Sequence, residues 1–185
     1  MEELQARFDR LEALLSDRAF LENRGLSNEV GLHVFAYPPE EEEAVTDLLR
    51  QLGAKQGTPF RIVECDLYRI FLDICEEKRI LDKIPDMEAR RGREVLREQL
   101  QRIATPQLFV RHMEYAPHQP GDVLVITGVG RVYPFTRAHS ILENLQHLFR
   151  DIPVVLFYPG VYNGQSLHLF DKFQEANYYR AFNMI

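Results

Sequence analysis

Apolar residues follow two different periods along this chain. Near the start they recur at helical spacing between charged residues, which predicts a short amphipathic helix from Leu4, Phe8, Leu11 and Leu15. Four short apolar runs are instead typical of strands: Leu32–Tyr37, 60–65, 121–128 and 152–160. The last two runs are continuous and rich in β-branched residues, as expected for strands that are buried on both faces of a parallel sheet.

Helical spacing returns between these runs. Four consecutive glutamates, residues 40–43, open the helix after the first strand, where the helix dipole favours negative charge. A helix over about 67–81 follows the second strand, and after a proline one long polar helix is predicted over about 86–103. Residues 135–149 form one apolar stripe, and the tail 177–185 alternates well enough to predict a last strand.

Strands that alternate with helices predict a three-layer α/β fold. We expect a mostly parallel sheet of about four to five strands flanked by helices, either P-loop-NTPase-like or Rossmann-like. No repeat, low-complexity tract or linker divides the chain, so residues 1–185 are predicted to form one domain. A chain of this length buries enough surface to be stable without a disulfide or a structural metal.

Composition narrows the class of protein further. A net charge of −6 argues against a protein whose whole surface attracts nucleic acid or anionic lipid. No apolar run approaches the roughly 20 residues that a membrane span needs, and the charged start lacks a signal sequence, so a cytoplasmic protein is expected. Cys65 and Cys75 match neither a redox pair nor a zinc site, which predicts small core residues in a reducing compartment.

A glycine pair after the third apolar run raises the question of nucleotide binding. Gly128 and Gly130 have the start of a dinucleotide fingerprint, but Tyr133 stands where the third glycine is needed. The chain also contains no Gly-Lys pair, so a Walker A loop is absent and no nucleotide cofactor is expected. The alternative is a strand-to-helix turn in which both glycines have positive φ and Pro134 lies in the first turn of the next helix.

The residues around this turn predict a binding surface. The carboxyl ends of parallel strands meet at one edge, where open α/β sheets bind ligands and partners, and tyrosine and arginine are enriched at binding hot spots. The predicted partner-binding residues lie at and after the carboxyl ends of the strands predicted at 121–128 and 152–160: Gly128, Gly130, Arg131, Tyr133, Arg137, His139, Tyr158, Gly160, Tyr162 and Gln165. In the alternative interpretation the tyrosines cap the core and the arginines are merely solvated.

Other candidate chemistry is sparse. Glu64 and Asp66 share one side of a strand near its end, a spacing that suits Mg²⁺, although Asp66 more simply caps the following helix. No third carboxylate is placed by the sequence, and neither Ser140 nor Ser166 lies in a nucleophile motif. We therefore expect no catalytic residue, no metal ligand and no cofactor site.

One segment is basic although the chain as a whole is acidic. Residues 78–102 contain eight basic and five acidic side chains, a net charge of +3. Interleaved charges of both signs are typical of a solvated helix with ion pairs between successive turns. The alternative is a nucleic-acid adaptor that uses the Arg90–Arg102 helix.

Several stretches together resemble a known family, and they include ECDLYRIFLDI, VLVITGVGRVYPFTRAHSILENLQHLF and PVVLFYPGVYNGQSLHLF. The chain resembles the BrxB family, small subunits of BREX bacteriophage-exclusion systems, from about residue 4 to 185 and most specifically over 128–164. The resemblance implies an antiviral role beside a DNA methyltransferase, a phosphatase-superfamily protein and a large P-loop ATPase. The family carries no catalytic residue over to this chain.

The leading hypothesis is therefore a non-enzymatic subunit that docks partner proteins through the two carboxyl-end loops. A nucleotide-binding switch or enzyme that uses the same loops is one alternative. A nucleic-acid adaptor is the other, and for it we expect only weak DNA contact, because the net charge opposes the phosphate backbone.

Overall fold

The computed structural model describes residues 2–23, 31–145, 148–174 and 182–183. The strands are β1 (Leu32–Tyr37), β2 (Arg61–Asp66), β3 (Asp122–Thr127), β4 (Val154–Tyr162), β5 (Leu167–Leu169), β6 (Phe173–Gln174) and β7 (Phe182–Asn183). The helices are α1 (Glu2–Leu15), α2 (Arg18–Leu21), α3 (Glu42–Ala54), α4 (Leu67–Glu77), α5 (Ile84–Arg91), α6 (Arg93–Ile103), α7 (Pro106–Met113), α8 (Val129–Val132) and α9 (Ala138–Leu145). Among the described residues, no helix is both long and apolar enough to cross a bilayer.

Five strands form a parallel sheet in the order β2-β3-β4-β1-β7, which confirms the predicted α/β architecture. The short strands β5 and β6 extend it by antiparallel pairing with the end of β4, and the sequence did not predict them. The predicted last strand is seen as β7, and the rest of residues 177–185 lies outside the described residues.

The strand order sets where a ligand or partner would meet the sheet. From β1 the chain crosses to the far edge at β2 and then returns through β3 to β4, beside β1. In the classic dinucleotide-binding order β1 lies next to β2, so this sheet departs from the Rossmann arrangement. The next parallel strand after β1 is β2, on the side of β4, whereas the next after β4 is β7, on the far side of β1, so the carboxyl ends of β1 and β4 mark the switch point of the strand order.

Apolar layers cover both faces of the sheet, as a three-layer fold requires. On one face, α1 and α3 pack their apolar stripes on alternate residues of β1, β3 and β4. Rings form the centre of this layer: Phe8 lies 5.1 Å from Phe35, and Phe35 lies 5.0 Å from Phe157. The opposite face packs against α4, α6, α7 and α9. All residues of β3 are buried, in agreement with its continuous apolar sequence.

A buried carboxylate ties together the starts of β2 and β3. Asp122 is fully buried and accepts two hydrogen bonds from Arg61, at 2.7 and 2.8 Å. The Tyr115 hydroxyl and the Gln119 amide each donate another at 2.9 Å. Burial alone would raise the pKa of Asp122, but these hydrogen bonds hold it below its ordinary value. The pair therefore stabilises the amino-terminal edge of the sheet as a charged unit.

Two helix predictions were wrong in their boundaries. The long polar helix expected over 86–103 is divided at Gly92, whose φ of +80° no right-handed helix accommodates. Gly92 ends α5 by donating its amide to Glu88, and its carbonyl accepts the first hydrogen bond of α6, from Leu96. The apolar stripe at 135–149 becomes a helix only over α9, and residues 146–147 lie outside the described residues.

Candidate functional site

The two loops singled out in the sequence meet at the carboxyl edge of the sheet. The turn after β3 forms the short helix α8, which lies directly on the end of β4 and the turn after β5. A Cβ atom at Gly130 would lie 2.9 Å from Cε1 of Phe170 and 3.2 Å from Cγ of Pro159, so a larger residue would have to displace the Phe170 ring. Glycine at position 130 is thus explained by close packing between the loops.

The glycines of this turn differ in their backbone requirements. Gly128 has φ +74°, as predicted, and a Cβ atom there would overlap Oδ1 of Asp66. Gly130 is helical, so the prediction of a positive φ at this second glycine was wrong. Pro134 was also misplaced, because it follows α8 in the connection to α9 and does not begin a helix. The turn is shaped by packing on its neighbours.

The two carboxylates considered for a metal are engaged within the protein. Asp66 caps α4, accepting hydrogen bonds from the amides of Tyr68 at 2.9 Å and Arg69 at 3.3 Å, which confirms its predicted capping role. Arg131 forms an ion pair with the same carboxylate at 2.6 Å. Glu64 accepts a hydrogen bond from the Thr127 hydroxyl at 2.7 Å. Across the described ranges, no three His, Cys, Asp or Glu side chains cluster as a metal site requires.

Aromatic rings form the exposed part of this edge. Tyr133 stacks on Phe173 with 5.1 Å between centroids, and Phe170 meets it edge-on at 6.3 Å. The Arg137 guanidinium lies 5.5 Å from the centre of the Tyr133 ring, a cation–π distance. Phe173 is 41% exposed and Arg137 is exposed as well. We refer to Arg131, Tyr133, Arg137, Phe170 and Phe173 as the carboxyl-edge patch.

Two predicted docking tyrosines lie in the core. Tyr158 is 0% exposed and Tyr162 is 5% exposed, so for these residues the alternative interpretation, tyrosines that pack in the core, describes the structure. The strand was expected to stop near Pro159 but continues as β4 to Tyr162, because its last residues pair with β5. Gly160 allows this pairing, since a Cβ atom there would overlap the carbonyl oxygen of His168.

The remaining two predicted residues lie beside the patch in sequence and make local contacts. His139 is half-buried in the first turn of α9, with Nε2 3.2 Å from the hydroxyl of Ser140. Gln165 is exposed in the turn between β4 and β5, where its amide donates to Oδ1 of Asn163 at 2.9 Å. Neither contact points to a ligand.

Phe170 and Phe173 were missed by the sequence reasoning. They flank the tight turn between β5 and β6, in which Phe170 and Asp171 have positive φ values of 52° and 58°. Positive φ is uncommon outside glycine, and in the stretch LFDKF only Asp171 is a residue type that favours turns. The alternation of Leu167 and Leu169 is the one signal that could have indicated a strand here.

The switch point of the sheet is lined by groups unsuited to a phosphate. After β1 the chain continues through Pro38 and Pro39, which have no N–H to donate, into the acidic first turn of α3. The Tyr37 hydroxyl donates to Glu42 at 2.6 Å. Burial, together with this hydrogen bond, raises the pKa of Tyr37 well above its usual range, so the hydroxyl stays protonated. A phosphate-binding loop presents amides and cations at this place; here the loop supplies prolines and carboxylates, and the nearby guanidinium of Arg7 already donates to the carbonyl of Ala36.

The two thiols are equally unsuited to nucleophilic chemistry. Both cysteines are free, and burial raises the pKa of Cys65 and of Cys75 to about 11. The reactive form of cysteine is the thiolate, so both side chains are inert near neutral pH. Cys75 lies in the core and Cys65 packs against it, as predicted.

Comparison with known proteins gives consistent matches. The family model described as BREX protein BrxB matches residues 63–184. A relative from Bacillus cereus (strain H3081.97), named BREX protein BrxB, is 37% identical over 191 aligned positions, which cover 100% of this chain and 99% of the relative. A relative of the same name from Escherichia coli O9:H4 (strain HS) is 27% identical over 188 positions, with 98% and 92% covered. No solved structure matches the chain.

Proposed function

The chain belongs to the BrxB family of BREX phage-defence proteins, and from that membership we propose that it is a non-enzymatic subunit that docks a partner protein through the carboxyl-edge patch. The observation on which the proposal rests is the stack of exposed Phe173, half-buried Tyr133 and exposed Arg137. It lies at the edge where open α/β sheets bind their ligands and partners.

The composition of the stack suits a protein interface. Aromatic and arginine side chains are the types most enriched at interfaces and at their hot spots. Phe173 exposes 41% of its surface although it is a large apolar side chain. The Tyr133 ring stacks on the Phe173 ring and lies beside the guanidinium of Arg137, and the Phe170 ring meets it edge-on. Rings held in this way lose little conformational freedom on binding, which favours affinity.

The chemistry of the same edge supports a role without catalysis. Glu64 and Asp66 are occupied by Thr127, by Arg131 and by the helix that Asp66 caps. The prolines and carboxylates after β1 weigh against the alternative of a nucleotide-binding switch, because phosphate sites rely on backbone amides and cations. Docking needs only the exposed side chains that the patch provides.

The partner is expected among the other BREX proteins. The family resemblance implies three kinds: a phosphatase-superfamily protein, a DNA methyltransferase and a large P-loop ATPase. The patch has a stack of rings beside Arg137, while Arg131 is already paired with Asp66, so the complementary surface should combine an apolar pocket with a carboxylate.

The test is copurification from cells that produce the whole BREX set. Phe173→Ser removes the exposed ring, and Arg137→Glu reverses the charge that covers Tyr133; both should reduce the amount of captured partner. Arg18→Glu is the matched control, because Arg18 is 82% exposed and lies in α2, which borders the opposite, amino-terminal edge of the sheet. Equal capture by all three variants would refute docking at the patch.

A further inference from the structure

The helices α5 and α6, which we call the hairpin, form a basic segment on the surface of an acidic protein, anchored in the core by Leu96 and Leu100. The chain carries −6 and residues 78–102 carry +3, so the remaining residues carry −9. No residue of α5 is fully buried; the helix lies against α6 and the 3-10 turn before it, and its partly buried Ile84 and Met87 pack against the core. The turn at Gly92 brings Arg90 and Arg91, from the end of α5, next to Arg93 at the start of α6. We call these three arginines the hairpin tip.

The cations of the tip are largely uncompensated. Neither Arg90 nor Arg91 has an ion-pair partner among the residues that the structure describes. Arg93 has one long contact, 3.4 Å from Glu88, and its side chain is 86% exposed. Further along α6, by contrast, Arg97 is paired with Glu94 at 2.6 Å. The predicted ion pairs between successive turns are therefore present in part of α6 but not among the described residues of the tip.

An open groove of about 420 Å³ runs along the same side of α5, lined by Lys83, Asp86, Met87, Arg90 and Arg91. Arg90 and Arg91 thus continue a basic surface that begins with Lys83, interrupted by the single carboxylate of Asp86. Guanidinium groups suit phosphate-bearing anions, because they donate in a fork that matches phosphate oxygens.

The residue types of the hairpin favour one class of anionic partner over the others. Residues 78–102 contain no aromatic residue, whereas proteins that hold single-stranded nucleic acid stack its bases on aromatic rings. Val95, 43% exposed, is the one large apolar side chain exposed on the described hairpin, too little for the apolar centre of a protein interface. Double-stranded DNA needs neither, since exposed cations suffice for its phosphates and its charge density is high.

We propose that the hairpin tip binds the phosphate backbone of double-stranded DNA, without reading its sequence. This contact is separate from the carboxyl-edge patch and does not depend on partner proteins. In it Arg90, Arg91 and Arg93 each neutralise a phosphate. The acidic body of the protein limits the affinity, so binding is weak and strongly dependent on salt.

The test measures the anisotropy of a labelled 30-base-pair duplex against the purified protein over a salt series. Three phosphate contacts predict a slope of log K against log salt of about −2.7. The triple variant Arg90→Gln, Arg91→Gln, Arg93→Gln should lose at least about tenfold in affinity near 50 mM salt. The triple variant Arg10→Gln, Arg18→Gln, Arg50→Gln removes the same charge from exposed positions on α1, α2 and α3, and should lose clearly less.

Several results would overturn the proposal. These are no binding at about 50 mM salt, equal losses in the two triple variants, or tighter binding of the single strand than of the duplex. If the tip variant kept its DNA affinity but lost a BREX protein in copurification, the tip would belong to a protein interface and the DNA assignment would be wrong.

Discussion

The guanidinium of Arg131 lies 2.6 Å from the carboxylate of Asp66, and this ion pair joins the turn after β3 to the helix after β2. Asp66 simultaneously caps α4 through the amide of Tyr68. Reversing the charge of Arg131 would therefore set two carboxylates against each other and disturb the cap. Arg137, exposed and in contact with the Tyr133 ring, reports on docking without this structural side effect.

Because the turn after β3 lies close to Asp66, alanine should destabilise the protein more at Gly128 than at Gly164. Gly128→Ala should destabilise the protein by positive φ and by overlap with Asp66, whereas Gly164→Ala suffers only the backbone effect, because nothing lies within 4 Å of its Cβ position. The backbone effect costs about 1–2 kcal/mol, roughly 2–8 °C in melting temperature for a chain of this size. In thermal melts, the decrease in melting temperature should be at least twice as large for Gly128→Ala as for Gly164→Ala. Equal losses would contradict the close approach to Asp66.

Neighbouring residues at the end of β4 provide a second comparison. Tyr162 is buried, so Tyr162→Ala should cost about 3 kcal/mol and lower the melting temperature by roughly 6–12 °C. Val161 is 49% exposed, and Val161→Ala should change the melting temperature by less than about 2 °C. Differential scanning calorimetry of the two variants decides whether Tyr162 belongs to the core. A Tyr162→Ala protein with the melting temperature of the wild type would contradict the assignment of Tyr162 to the core.

His33 predicts how stability depends on pH. Burial lowers the pKa of His33 to about 4, and its ring lies 4.7 Å from that of Phe20. The unfolded chain, with a pKa near 6.5, takes up a proton first, so the free energy of unfolding should fall as pH decreases from about 6.5 to 4, by up to about 1.4 kcal/mol per pH unit. Urea denaturation at pH 7 and pH 5 should show a smaller difference for His33→Gln. An identical difference in both proteins would exclude His33 as the cause.

The purified protein should neither bind nor hydrolyse ATP or GTP. The chain has no Walker lysine, and the loop after β1 presents prolines and glutamates where phosphates would need amides and cations. Titration calorimetry and a phosphate-release assay measure binding and turnover separately. Heat of binding, or turnover that disappears on Gly130→Asp, would instead support the nucleotide-binding alternative.

Local sequence patterns determined most of the sheet. The runs that became β3 and β4 are apolar and rich in β-branched residues, and burial on both faces leaves little alternative to a strand. Asp66 was recognisable as a cap because a carboxylate directly before a helix satisfies the first free amides. These features depend on neighbours in sequence, which a single chain displays.

The features that were not predicted depend on contacts between distant residues. The turn of Phe170 and Asp171 adopts positive φ while Phe170 packs on Gly130, forty residues earlier in the chain. Tyr158 and Tyr162 were assigned to a binding loop, yet both are buried, and the end of β4 that contains Tyr162 pairs with β5. Gly92 divides a helix that its polar sequence would have allowed to continue. The sequence placed Arg131, Tyr133 and Arg137 at this edge, but not Phe170 and Phe173, which pack on Tyr133.

The most direct measurement of the docking claim is the dissociation constant between the purified protein and the BREX protein that it captures. Loss of an aromatic or arginine anchor costs ~2–4 kcal/mol, so Phe173→Ser and Arg137→Glu should each weaken binding by roughly 30-fold to 1000-fold. Arg18→Glu should change it by less than about threefold, because surface substitutions outside an interface contribute little. If both patch variants melt normally and bind within about threefold of the wild type, the carboxyl-edge patch is not the docking surface.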